Sequence, residues 1–101
     1  MSITDIRKKV QACLATLPQQ EEIERILLFG SHLHDEARED SDVDLLIELR
    51  KPVEIGLFEF TRIQRALEQA LEKQVDLGTP DSLSKYIREE VLQEAEVIYE
   101  K

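Results

Sequence analysis

Two short apolar runs constrain this chain more than any other feature. Ile26-Leu27-Leu28-Phe29 ends on Gly30, and Val43-Asp44-Leu45-Leu46-Ile47 follows the turn-forming stretch Asp40-Ser41-Asp42. Runs this continuous do not alternate as a strand with one wet face must, yet they are too short for helices. They predict strands over Ile23–Phe29 and Val43–Leu49, in a sheet covered by helices. With 101 residues and 42% hydrophobic content, the chain can build one modest core. It is therefore read as a single domain over residues 1–101.

The covering helices are legible from period 3.6. Ile3, Ile6, Val10, Cys13, Leu14 and Leu17 form one apolar stripe, with Ser2 or Thr4 as cap and Pro18 as stop. Cys13 on that stripe reads as core. A second helix is expected from Ile55 to Lys73, with Phe60, Ile63, Ala66, Leu67, Ala70 and Leu71 inward. Phe58 and Phe60 are expected against the sheet. Yet Ile55, Leu57 and Phe58 fall outside the main face, where an exposed patch would mark a partner surface. Gln74 to Leu77 reads as a third strand carrying Asp76, stopped by Gly78-Thr79-Pro80. Ser82 is the expected cap of a helix to about Glu94, with Leu83, Ile87, Val91 and Leu92 inward. Tyr86 and Tyr99 are read as packing residues, and Val97-Ile98-Tyr99 as a last short strand. A short helix is expected between Ser31 and Arg38. The fold class is α/β (α+β), a small mixed sheet flanked by helices.

Composition removes several classes. A lone Cys cannot form an internal disulfide. No apolar run approaches membrane-spanning length. The start Met-Ser-Ile-Thr-Asp lacks a basic-then-apolar signal pattern, so the reduced cytoplasm is the default location. The 22 acidic against 13 basic side chains, net −9, count against direct binding of nucleic acid. The acid is unevenly placed: Asp35, Glu36, Glu39, Asp40, Asp42, Asp44 and Glu48 are answered only by Arg38. Asp35 to Asp40 reads as a solvated loop. Asp42 and Asp44 differ, because they open an apolar strand where solvation explains nothing.

Three strand ends carry the candidate chemistry. Residues i and i+2 of a strand share a face, so Asp42 and Asp44 project together. Their repulsion is relieved by a proton or a cation. Mg²⁺ suits such a pair, since it takes one or two carboxylates and fills its shell with water and phosphate oxygens. If the Asp76 strand lies beside that of Asp42 and Asp44, a third carboxylate joins them. Three carboxylates can hold two ions roughly 3.5–4 Å apart, the arrangement for in-line phosphoryl chemistry. Gly30 lets backbone approach a phosphate, and Ser31 offers a hydroxyl beside the first free N–H groups of a following helix. His32 and His34 lack the further Cys or His ligands that zinc would need. His34 remains a candidate phosphate neighbour.

The stretch LLFGSHLHDEAREDSDVDLLIEL resembles the signature of the DNA polymerase beta-like nucleotidyltransferases, and most closely the minimal nucleotidyltransferases. GLFEFTRIQRALEQALEKQVDL and IREEVLQEAEVIYE resemble that family's later segments, so the likeness covers nearly the whole chain. It implies the polymerase beta-like fold, with Gly30 and Ser31 on the triphosphate, Asp42 and Asp44 on Mg²⁺, and Asp76 as the third carboxylate and base. It implies two Mg²⁺ ions, ATP as substrate, and transfer of AMP to a hydroxyl. It further implies a HEPN-domain toxin as partner in a hetero-oligomer, with this chain as antitoxin of a type VII-like pair and a toxin tyrosine as acceptor. His34 and Asp35 stand where the family often has Arg and Gly. Arg is a permanent forked phosphate ligand and His is not, so the change bears on triphosphate affinity.

Two other readings follow from the same residues. A binding-only antitoxin would keep the fold and lose turnover, in line with His34 and Asp35. A small-molecule nucleotidyltransferase would need an acceptor site, for which the chain shows no second domain.

Overall fold

The computed structural model describes residues 1–30, 32–33, 38 and 41–101. The elements follow in the order α1 (Ile3–Leu14), β1 (Ile23–Phe29), β2 (Val43–Leu49), α2 (Leu57–Leu71), β3 (Val75–Gly78), α3 (Lys85–Glu94) and β4 (Glu96–Glu100), with 3-10 turns at Gln20–Glu22 and Pro80–Ser82. Both apolar runs form strands with the expected bounds. The short helix expected between Ser31 and Arg38 falls mostly outside the described residues; His32 and Leu33 form a turn.

The four strands form one sheet in the order β3-β2-β1-β4. β1 pairs antiparallel with β2 and β4, while β2 and β3 run parallel. The mixed sheet and the last strand are as the sequence predicts. α2 is the crossover that makes a parallel β2–β3 pair possible.

One face of the sheet makes the core. Ile26, Leu28, Val43, Leu45, Ile47, Val75, Leu77 and Ile98 meet Ile6, Val10 and Leu14 of α1 and Ile63, Leu67 and Leu71 of α2. The alternate residues Leu27 and Leu46 point to the opposite face by strand periodicity, and they too are buried. Both faces of the central strands are thus covered, which is why their sequences do not alternate. On the second face the Pro80–Ser82 turn packs against β2. Arg88 fastens α3 to it by donating to the carbonyls of Pro80 and Leu83 at 2.9 and 3.0 Å.

Local chemistry sets the ends. Ser2 caps α1: its hydroxyl accepts from the Asp5 N–H at 3.1 Å, and the Asp5 carboxylate accepts from the Ser2 N–H at 3.2 Å. α1 ends at Leu14, before Pro18, and Leu17 reaches the core from the following turn. At α2, Glu59 accepts from the Gly56 N–H at 2.6 Å, and Glu72 closes the helix in the left-handed region at φ 55°. The cap of α3 is Ser84 and not Ser82, because Pro80 starts a separate 3-10 turn that takes in Ser82.

Two packing expectations fail. α3 buries none of its residues; Ile87 is exposed, and Leu83, Val91 and Leu92 are only half-buried. α1 and α2 take the main core face, and α3, tied to the 3-10 turn on the other face, covers that face only in part. Tyr86 is exposed, whereas Tyr99 packs against the core. On α2, Phe60 touches the core while Leu57 and Phe58 are 78% and 82% exposed, so Phe58 belongs to the exposed patch.

Candidate active site

The C-terminal end of β1 and the N-terminal ends of β2 and β3 meet at one edge of the fold. Phe29 pairs with Asp44, and Asp44 pairs in turn with Asp76. Paired residues lie on the same face, and Asp42 is two residues before Asp44, so all three carboxylates project from the face opposite the main core. Asp42 and Asp76 are exposed and Asp44 is half-buried. Like charges directly opposite across a strand pair are destabilising, so folding stability does not account for this placement.

Asp44 feels that environment. Its carboxyl is pushed above the ordinary value, first by burial, then by repulsion from Asp76 and Asp42; His32 pulls it partly back. No hydrogen bond or ion pair from a described residue reaches any of the three carboxylates. The described residues leave their oxygens open to a hard cation. Among the described residues no three metal-capable side chains converge into a preformed cage. Mg²⁺ does not need such a cage, since it uses one or two carboxylates beside water and phosphate oxygens. The donor set fits Mg²⁺ on those terms.

Gly30 has a second role beyond the one its sequence context predicts. Its φ of +79° is a left-handed conformation. A Cβ built there would lie 2.2 Å from Oδ2 of Asp44. The missing side chain leaves the space that the Asp44 carboxylate fills. The Gly30 carbonyl then accepts from the Leu33 N–H at 3.1 Å, closing the turn. Ser31, His34 and Asp35 lie outside the described residues.

Two residues that sequence reasoning passed over position Asp76. Val75 has an N–H and a carbonyl at the open edge of the sheet. Glu68 accepts from the N–H at 3.1 Å, and Gln64 donates to the carbonyl at 2.9 Å. Gln64 and Glu68 are i and i+4 on α2, so one helix face brackets the residue before Asp76. That spacing is visible in the sequence, but only the crossover shows what it faces. His32, weighed in the sequence only as a zinc ligand, is buried, and its Nε2 lies 3.3 Å from the Ser41 carbonyl.

An open groove of about 610 Å³ lies at the far end of β2, flanked by Glu48, Arg50, Lys51, Val53 and Thr79. None of the three aspartates lines it.

A mixed sheet whose strand ends bring three aspartates to one face beside a glycine turn is an arrangement that suits nucleotidyl transfer. The family comparison agrees: the Polymerase beta, Nucleotidyltransferase domain matches residues 11–101, and the chain belongs to that family. The protein adenylyltransferase MntA of Thermococcus cleftensis is 32% identical over 99 residues, covering 98% of this chain and 96% of that one. A solved structure described provisionally as a minimal nucleotidyltransferase superposes with a TM-score of 0.76 at 35% identity, covering 95% of each chain. The same fold recurs at 19% identity, with a TM-score of 0.66, in the complex of a tri-AMPylated Shewanella oneidensis HEPN toxin with its MNT antitoxin. That match covers 98% of this chain and 73% of the other. Among the described residues no helix is long and apolar enough to cross a membrane.

Proposed function

We propose that this chain is a protein adenylyltransferase that moves AMP from ATP to a hydroxyl of a HEPN-domain toxin, with tyrosine as the acceptor, and so acts as its antitoxin. The observation that carries the reading is the direct pairing of Asp44 with Asp76 across parallel strands, beside Gly30 and with Asp42 on the same face. The adenylyltransferase relative and the HEPN–MNT complex support the choice of nucleotide and partner.

The chemistry is in-line displacement. The acceptor oxygen bonds to the α-phosphorus as the bond from that phosphorus to the β-phosphate bridging oxygen breaks, and pyrophosphate leaves. Asp42 and Asp44 would hold Mg²⁺, with Asp76 completing the set, and the bound ion would offset triphosphate charge and favour the ionised acceptor. Asp76, exposed at the open side, takes the hydroxyl proton. Gly30 offers backbone to the triphosphate, with Ser31 and His34 as further ligands.

The test is incubation with α-labelled ATP, Mg²⁺ and a cognate HEPN protein, beside Asp42→Ala and Asp44→Ala. Label on the partner, lost in both variants, is expected. A stable complex without label would show neutralisation by binding alone. Label on a small hydroxyl compound without a partner would show a small-molecule enzyme.

A further inference from the structure

His32 is the one buried polar or charged side chain among the described residues, 8% exposed. A backbone carbonyl only accepts, so the 3.3 Å contact with the Ser41 oxygen makes Nε2 the N–H donor. Nδ1 is then buried with no partner among the described residues. Burying an unpartnered nitrogen costs stability, and an apolar side chain would fill the space without that penalty. The imidazole is thus poorly explained by packing alone.

What the bond joins is more informative. His32 belongs to the turn closed by the Leu33 N–H on the Gly30 carbonyl, and Leu33 packs against the core. Ser41 directly precedes Asp42. It is held on its other side by Arg38, whose N–H donates to the Ser41 hydroxyl at 2.8 Å and whose carbonyl accepts from the Ser41 N–H at 3.0 Å. Among the described residues, one side-chain bond therefore spans the loop between β1 and β2 and joins its two ends at the site. We infer that His32 is a positioning residue that latches the Gly30 turn to the start of β2, holding the phosphate-binding backbone in register with Asp42 and Asp44. This rests on the proposed nucleotidyl transfer for its consequence, but the latch itself is a property of the free protein.

Three variants test it. His32→Leu fills the space without a donor. His32→Asn is polar but too short to reach Ser41. His32→Gln places an N–H near the Nε2 position. In the free protein, amide exchange at Leu33 is expected to speed up roughly tenfold in the Leu and Asn variants. Exchange at Ile26 and Ile47 stays unchanged, and Gln restores the wild-type rate at Leu33. With nucleotide, KM for Mg-ATP rises several-fold in Leu and Asn with a smaller change in kcat, and Gln restores it. The Tm of His32→Leu stays level or rises, which a merely structural role does not predict. Wild-type exchange at Leu33 in both Leu and Asn variants would overturn the latch, as would a Gln variant no better than Leu. A wild-type protein that transfers nothing would overturn the proposed function, and the exchange measurement would still decide the latch.

Discussion

The carboxylate of Asp44 stands where a side chain on Gly30 would have to be, 2.2 Å from the position of a Cβ at that residue. The glycine and the acid are a matched pair across β1 and β2. Gly30→Ala has two separate penalties: a left-handed backbone that Ala resists, and displacement of Asp44. The strain alone is of order 1–3 kcal/mol. Transfer should fall at least about a hundredfold, more than the lost stability explains, since a small misplacement of a reacting group has that effect. Urea unfolding and AMP transfer on the same variant measure both.

Asp44 should set stability against function. Burial and the charges of Asp76 and Asp42 raise its carboxyl above the ordinary value, so the folded state holds that proton to higher pH than the unfolded chain does. The ionised group therefore subtracts from stability above its folded pKa. The penalty fades as pH falls through that value and is gone below the unfolded pKa. Asp44→Asn is expected to raise the Tm of the metal-free protein at pH 7, to lose the advantage in acid, and to abolish transfer. Added Mg²⁺ should raise the wild-type Tm and leave the variant's unchanged.

The bracket on Val75 predicts a graded series. Glu68→Ala and Gln64→Ala each remove one bond to the strand that carries Asp76, at a cost of about 1 kcal/mol. Amide exchange at Val75 should quicken in Glu68→Ala and not in Glu68→Gln, whose amide oxygen still accepts. Transfer should decline in the same order.

A contrast within α2 separates core from patch. Ile63 is fully buried, and Ile63→Ala should cost about 2–5 kcal/mol. Phe58 is 82% exposed, and Phe58→Ala should stay within about 0.5 kcal/mol. Denaturant unfolding of the two variants checks both values.

Much of this was legible from the residues. Ile26–Phe29 and Val43–Ile47 announced buried strands because nothing polar interrupts them on either face except Asp44. Asp42 and Asp44 share a face by the geometry of any strand. The place of Asp76 was conditional, because periodicity does not say which strands are neighbours; the crossover through α2 decides it. α3 misled because Leu83, Ile87, Val91 and Leu92 have helical spacing, while the sheet had little apolar surface left for them. The steric match of Gly30 with Asp44 and the reach of His32 to Ser41 depend on the chain folding back across a loop, which no local pattern encodes.

The central claim is that the paired aspartates direct attack at the α-phosphorus of ATP. The most direct measurement compares ATP labelled at the α-phosphate with ATP labelled at the γ-phosphate, given to the protein with Mg²⁺ and its HEPN partner. Label on the partner from the α-position only, with labelled pyrophosphate released from the γ-labelled ATP, is the predicted result. Transfer of the γ-label, or α-label transfer that survives Asp44→Ala, would contradict it.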